Sequence, residues 1–188
     1  STNIITPEVS VITNIGYDHM QFLGETLPEI AFEKAGIIKE NTPVVIGEQQ
    51  EEVVHVFKNK ATACHATITF ASDFNYDYQT DLLGDYQKSN LKTAITTIHQ
   101  IKGFTVSENH IKEGLLKVAK NTKLKGRWQI LQERPKIICD TAHNKEGLQI
   151  VMSQLKKEKN QNLHIVLGVV NDKKLEDVLP LFPKAATY

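Results

Sequence analysis

Two clusters of polar side chains carry most of the chemistry this sequence offers. Asp18 and His19 close the turn Ile15-Gly16-Tyr17-Asp18-His19, and Asp140, His143 and Asn144 bunch in the run Asp140-Thr141-Ala142-His143-Asn144. Each cluster follows a short apolar run and precedes a helical pattern. Ligands collect at that place in open α/β sheets, beyond the carboxyl ends of the strands. A His19 imidazole there suits a metal ion or a phosphate; the plain alternative is a turn in which Asp18 caps backbone amides. Asp140 with His143 suits ribose hydroxyls or phosphate oxygens at a helix N-terminus; the plain alternative is helix capping by Asn144. Glu33 and Lys34 sit between Ala31 and Ala35. They read either as an ordinary helical ion pair or as a lysine lying against the sheet, where desolvation favours the neutral amine. Arg127 suits bidentate phosphate binding or is a solvated linker charge. The single tryptophan, Trp128, reads as packing.

Several reactions are excluded by what is missing. No glycine is followed by lysine, so there is no Walker A loop. GxGxxG, GxSxG and HExxH are absent too, and no Cys-His constellation exists.

The elements that must position these groups follow from period and punctuation. Val9 to Asn14, Pro43 to Gly47 and Ala66 to Phe70 are short, β-branched strands. Between them, a helix starts at the N-cap Thr26, with Glu29 completing a capping box and Pro28 in the first turn, and ends near Gly36. A second helix spans Gln49 to Ala61. The alternation β-α-β-α-β implies a parallel sheet with crossover helices. A helix over Tyr86 to Ile101 comes next, and another capped by Ser107 carries Ile111, Leu115, Leu116, Val118 and Ala119 on its apolar face. Residues 126–135 read as a linker. A second α/β piece is then expected, with strand Lys136 to Asp140, helix Lys145 to Lys159, strand Leu163 to Gly168 and a further helix from Leu175 to Leu181. The domains are accordingly 1–125 and 136–188.

Composition narrows the class. Of 188 residues, 40% are hydrophobic, enough to close a core and unlike a disordered chain. The 22 basic residues balance 22 acidic ones, which disfavours nucleic acid or an anionic membrane as the main partner. Cys64 and Cys139 lack metal-knuckle spacing and suit a reducing compartment. No signal peptide or spanning segment is visible, so a cytoplasmic location is expected.

The run Thr13-Asn14-Ile15-Gly16, Asp18-His19, Leu23-Gly24, Thr26, Ile30-Ala31 and Glu33-Lys34-Ala35-Gly36-Ile37-Ile38-Lys39 resembles the central-domain motif of the folylpolyglutamate synthase and dihydrofolate synthase branch of the Mur ligases. Leu83-Gly84-Asp85-Tyr86-Gln87 with Asn90 resembles the stretch before that family's adenine-contacting helix. Gly126-Arg127 resembles its interdomain arginine motif, and Asp140 to Asn144 the DGAHNP segment that opens its C-terminal domain. Thr141 and Lys145 depart from that last pattern, standing where Gly and Pro are usual.

The resemblance implies a fold and a reaction. The fold is the later part of a Mur-ligase central ATPase domain, then the first part of a Rossmann-like C-terminal domain. The reaction joins L-glutamate to dihydropteroate or folate with ATP and Mg²⁺, through an acyl phosphate. By position, His19 is a Mg²⁺ ligand, and Lys34 is the lysine carbamylated in the family. Asn90, Arg127 and Asp140 contact ATP, and His143 lies near the reacting phosphates. The family's P-loop precedes the matched stretch and its C-terminal domain continues past it, so the chain is expected to be an excerpt, inactive alone, of a monomeric enzyme. The competing readings are a peptidoglycan-precursor Mur ligase and a non-catalytic nucleotide-binding or regulatory module.

Overall fold

The computed structural model of the chain describes residues 2–17, 20–169 and 175–188. They divide into two compact units, one of residues 1–81 and 87–117, the other of residues 82–86 and 118–188.

The first unit is built on strands β1 (Ser10–Ile12), β2 (Val44–Ile46) and β3 (Ile68–Phe70), all parallel and in the order β1-β2-β3. Their β-branched residues are the ones that pack on a sheet buried on both faces, and Val44, Val45 and Ile46 are accordingly sealed. Short helix α1 (Met20–Leu23) and helix α2 (Leu27–Ala35) connect β1 to β2, and α3 (Val54–Ala63) connects β2 to β3. The expected capping box is present: Glu29 N donates to Thr26 Oγ1 at 3.4 Å, and Thr26 N donates to Glu29 Oε2 at 3.0 Å. Ile30, Ala31 and Ala35 turn inward toward Phe57 and Ala61 of α3 in one core. At the far end of α2 the buried Ser10 hydroxyl donates to Ile37 O at 2.6 Å, tying the helix exit to β1.

Helix α4 (Gln87–Ile98) and helix α5 (Glu108–Leu115) complete this unit around Leu91, Ile95 and Ile111. Ser107 caps α5 as expected, with His110 as its reciprocal partner. The single helix expected beyond Ser107 is two pieces. It stops at Leu116, and α6 (Val118–Thr122) is a separate short helix in the second unit. Helix α3 begins at Val54, five residues after the expected start at Gln49.

The second unit departs further from expectation. Gln129 to Glu133, within the stretch read as a linker, is strand β4, antiparallel to β5 (Lys136–Cys139). The Pro135 that looked like a linker end lies in the hairpin turn, and the register shifts between Ile130 and Gln132, which breaks the alternation that announces a strand. Helix α7 (Lys145–Leu155) packs Leu148, Val151 and Met152 on Trp128 and Phe182. The expected strand from Leu163 to Gly168 is reduced to one bridge between His164 and Thr187, since a strand exists only where a neighbour completes its ladder. The expected helix from Leu175 to Leu181 is two 3₁₀ turns, consistent with the donor that Pro180 lacks.

Candidate functional site

In the first unit the site begins where β1 ends. Ile15 N donates to Gln50 Oε1 at 2.7 Å while Gln50 Nε2 donates to Ile15 O at 2.8 Å, so one side-chain amide satisfies both backbone groups of the residue leading into the turn. Asp18 and His19 lie outside the described residues. Lys34 is exposed on α2. It shares with Thr13, Asn14, Leu23 and Glu33 a depression of about 440 Å³ at the end of β1. Of the two placements open to Lys34, the side chain takes the exposed one on the helix surface and does not lie buried against the sheet. No group of three or more His, Cys, Asp or Glu side chains among the described residues is arranged to hold a metal ion. Asn90, on α4, is exposed and donates from Nδ2 to the buried Gln87 Oε1 at 2.9 Å, which fixes the orientation of its amide.

The second unit brings Arg127, Asp140 and His143 together. Arg127 stands between two residues in the left-handed region, Gly126 at φ 67° and Trp128 at φ 49°. For a tryptophan that conformation costs about 1–3 kcal/mol and persists only where neighbours over-determine it. They do. Trp128 is 3% exposed in the core beside α7, and its N–H donates to Asp140 Oδ2 at 2.7 Å. A side chain at position 126 would also be refused by space, since a Cβ there would lie 2.5 Å from Thr141 Cγ2.

Asp140 is the centre of this arrangement. Oδ2 accepts from Trp128 N and from the Tyr86 hydroxyl at 2.8 Å, and Oδ1 accepts from Ala142 N at 2.8 Å. A carboxylate offers about four acceptor positions, and three are filled here. Thr141 supplies the second set of ties. Its N–H and hydroxyl donate to Gly126 O at 3.0 and 3.1 Å, and its hydroxyl oxygen accepts from Arg127 Nη1. Arg127 Nη1 also donates to Gly126 O at 3.1 Å. His143 is exposed, with Nδ1 3.1 Å from Thr141 O. Asn144 caps α7 by accepting from Gly147 N at 2.9 Å, so the plain alternative for that residue holds. Trp128 is packing, as read.

Tyr86, Gln50 and Gln154 carry no local signal of their roles. Burial and the adjoining Asp140 carboxylate push the Tyr86 phenol well above its usual range, against a smaller opposite pull from Arg127. Gln154 accepts from Asp85 N at 2.6 Å and donates to Leu83 O at 2.9 Å. Each of these bonds to residues 82–86 spans more than fifty positions. The chemistry of the cluster is that of a cationic guanidinium, pre-set on a rigid turn, beside a mostly satisfied carboxylate.

Comparison with known proteins gives the setting. The Mur ligase middle domain matches residues 1–112, and the Mur ligase glutamate ligase domain matches residues 126–188. A dihydrofolate synthase/folylpolyglutamate synthase of Bacillus subtilis is 31% identical over 206 residues, covering 95% of this chain and 47% of that protein. A folylpolyglutamate synthase of Lacticaseibacillus casei is 31% identical over 199 residues, covering 92% and 46%. The structure of E. coli FolC in complex with DHPP and ADP superposes with a TM-score of 0.83 at 27% identity, covering 98% of this chain and 47% of that one. The chain thus spans about half the length of the relatives it matches.

Proposed function

The chain belongs to the Mur ligase family, and on that premise we propose that it serves an ATP-dependent amide ligase that joins L-glutamate to dihydropteroate or folate. The substrate carboxylate is activated by ATP as an acyl phosphate, and the amine of glutamate displaces the phosphate. The observation that carries this reading is the Arg127 turn. A guanidinium held between two left-handed residues and tied at Nη1 is the pre-organised charge that phosphoryl transfer and a tetrahedral intermediate require. The names of the relatives, dihydrofolate synthase and folylpolyglutamate synthase, favour this branch over peptidoglycan-precursor ligases and over a non-catalytic module.

Asn90 and Arg127 contact ATP. Asp140 uses its remaining acceptor position for the nucleotide, while its other three build the turn. His143 stands near the reacting phosphates at the start of α7. Mg²⁺ is the expected metal, with His19 and a carbamylated Lys34 as its ligands; the described residues alone do not assemble that donor set. Among the described residues no helix is long and apolar enough to cross a membrane. The balanced charge favours small molecules over nucleic acid as partners; a cytoplasmic location and a monomeric state belong to the same proposal.

The test uses the full-length protein with Mg²⁺, ATP, labelled glutamate and either dihydropteroate or folate. Release of ADP that depends on both the pterin substrate and glutamate is expected, with stoichiometric amide formation. Arg127→Ala is expected to raise KM for ATP by about 10-fold or more, the scale of losing a charge-assisted hydrogen bond. Nucleotide turnover indifferent to glutamate overturns the reading.

A further inference from the structure

We propose that Tyr86 is a positioning residue for nucleotide binding, acting through Asp140 on the Arg127 turn. The inference rests on the reading of Arg127 as an ATP contact and adds the side chain that holds it in place.

The geometry runs in one direction. Residues 82–86 belong to the second unit and are anchored there before the tyrosine is reached. Gln154 brackets them by accepting from Asp85 N and donating to Leu83 O, and Lys157 Nζ meets Asp85 Oδ2 at 2.7 Å. Gly84 lets the tyrosine ring fold back over its own backbone, for a Cβ there would lie 2.7 Å from Tyr86 Cε1. The ring packs against the core that contains Trp128. Its hydroxyl then donates to Asp140 Oδ2, the same oxygen that accepts Trp128 N–H. Two donors on one oxygen fix the carboxylate plane, with Ala142 N fixing the other end. A carboxylate so fixed holds Trp128 at φ 49°, and the direction of Arg127 is set by that residue and by Gly126. An arginine side chain loses much rotamer freedom on binding phosphate, so a turn that fixes its root reduces what binding must order. Without the hydroxyl, Asp140 keeps its two backbone donors but is free to swing about them.

The raised titration of Tyr86 keeps it a donor throughout the neutral and mildly alkaline range.

The experiment is a double-mutant cycle in the full-length protein, read as KM for ATP, KM for glutamate, kcat and equilibrium binding of ADP. Tyr86→Phe removes one oxygen and leaves the ring. It is expected to raise KM for ATP and Kd for ADP by about 3- to 10-fold, the range of coupling between residues in one hydrogen-bond network, with KM for glutamate unchanged. In an Arg127→Ala background the same substitution is expected to weaken nucleotide binding by less than it does in the parent, keeping only the part that passes through Asp140's own contact. Gly84→Ala, which pushes the ring aside by a different route, is expected to reproduce the Tyr86→Phe effect. Melting temperatures separate these shifts from loss of fold. If Tyr86→Phe leaves nucleotide binding within twofold, or weakens it equally with and without Arg127, the positioning role is overturned while Arg127 keeps its own. If Arg127→Ala itself leaves nucleotide binding unchanged, the reading of Arg127 falls and the role of Tyr86 falls with it.

Discussion

Protonation of Tyr86 has a consequence for stability as well as for binding. Its folded-state titration is raised first by burial, then by the hydrogen bond and charge of Asp140, from an ordinary value of 10.0. The folded chain therefore holds this proton more tightly than the unfolded chain. The stabilising contribution is complete below about pH 10 and is lost as pH climbs from there through the higher folded-state value. Urea melts between pH 8 and 11 are expected to show an alkaline loss of stability that is smaller in Tyr86→Phe than in the parent; equal slopes would separate Tyr86 from that loss. Lys34 gives the second expectation at this scale. A carbamate converts an amine into an oxygen donor suited to Mg²⁺. On an exposed side chain such an adduct needs a metal to hold it, so Lys34 is expected to remain a plain lysine without one. In the full-length protein Lys34→Ala is expected to lower kcat by roughly 100-fold, the scale of losing about 3 kcal/mol of charge stabilisation. Short carboxylic acids should restore part of that loss by supplying the missing oxygen. Kinetics unchanged at saturating Mg²⁺ would return Lys34 to an ordinary surface charge.

Helix α2 shows how an element announces itself. Thr26, Pro28, Glu29 and Gly36 occupy positions that define a start and a stop, and the helix spans Leu27–Ala35. Removing the cap with Thr26→Ala is expected to cost about 1 kcal/mol in urea unfolding. Glu29 adds a pH signature of opposite sense to that of Tyr86. Backbone N–H groups of Glu25 and Thr26 hold its carboxyl below the ordinary value, so its contribution is present above about pH 4.5 and lost as pH falls through the lower folded value. Acid titration of stability should therefore be shallower in Glu29→Gln than in the parent. The elements that differ from the sequence expectation lack such local marks. Strand β4 interrupts its own alternation between Ile130 and Gln132, and its pairing with Lys136–Cys139 is a tertiary fact that composition does not encode. The segment from Leu163 to Gly168 has the opposite problem. Its residues favour a strand, yet only His164 finds a bridge partner, in Thr187. The helix expected to continue past Leu115 ends at Leu116, although Val118 and Ala119 continue the apolar spacing. Local chemistry specifies caps and short buried strands, and pairing decides the rest.

At the scale of the whole chain, the legible part of the site is what lies close in sequence. Glu33 to Lys39 and Asp140 to Asn144 are contiguous, so their resemblance to the Mur ligases is visible without a structure. Tyr86 meets Asp140 across 54 positions and Gln154 meets Leu83 across 71, distances at which a single sequence carries no sign of contact. Phosphoryl transfer is mostly positioning and charge neutralisation, and on the proposed reading the parts supplied here are the arginine turn, an oriented Asn90, Lys34 and the start of α7. No glycine in the chain is followed by lysine, so the phosphate-cradling loop with its lysine is not among them. A cation on its own, without that cradle and, among the described residues, without an assembled metal site, leaves the triphosphate free to rotate, and in-line attack then loses its orientation. The purified chain, given Mg²⁺, ATP, glutamate and dihydropteroate, is therefore expected to incorporate no glutamate and to release no ADP above the uncatalysed background. Activity that co-purifies with the chain through successive columns, and is abolished by Arg127→Ala, would mean that a phosphate site exists within these residues and that the turn at Arg127 belongs to it.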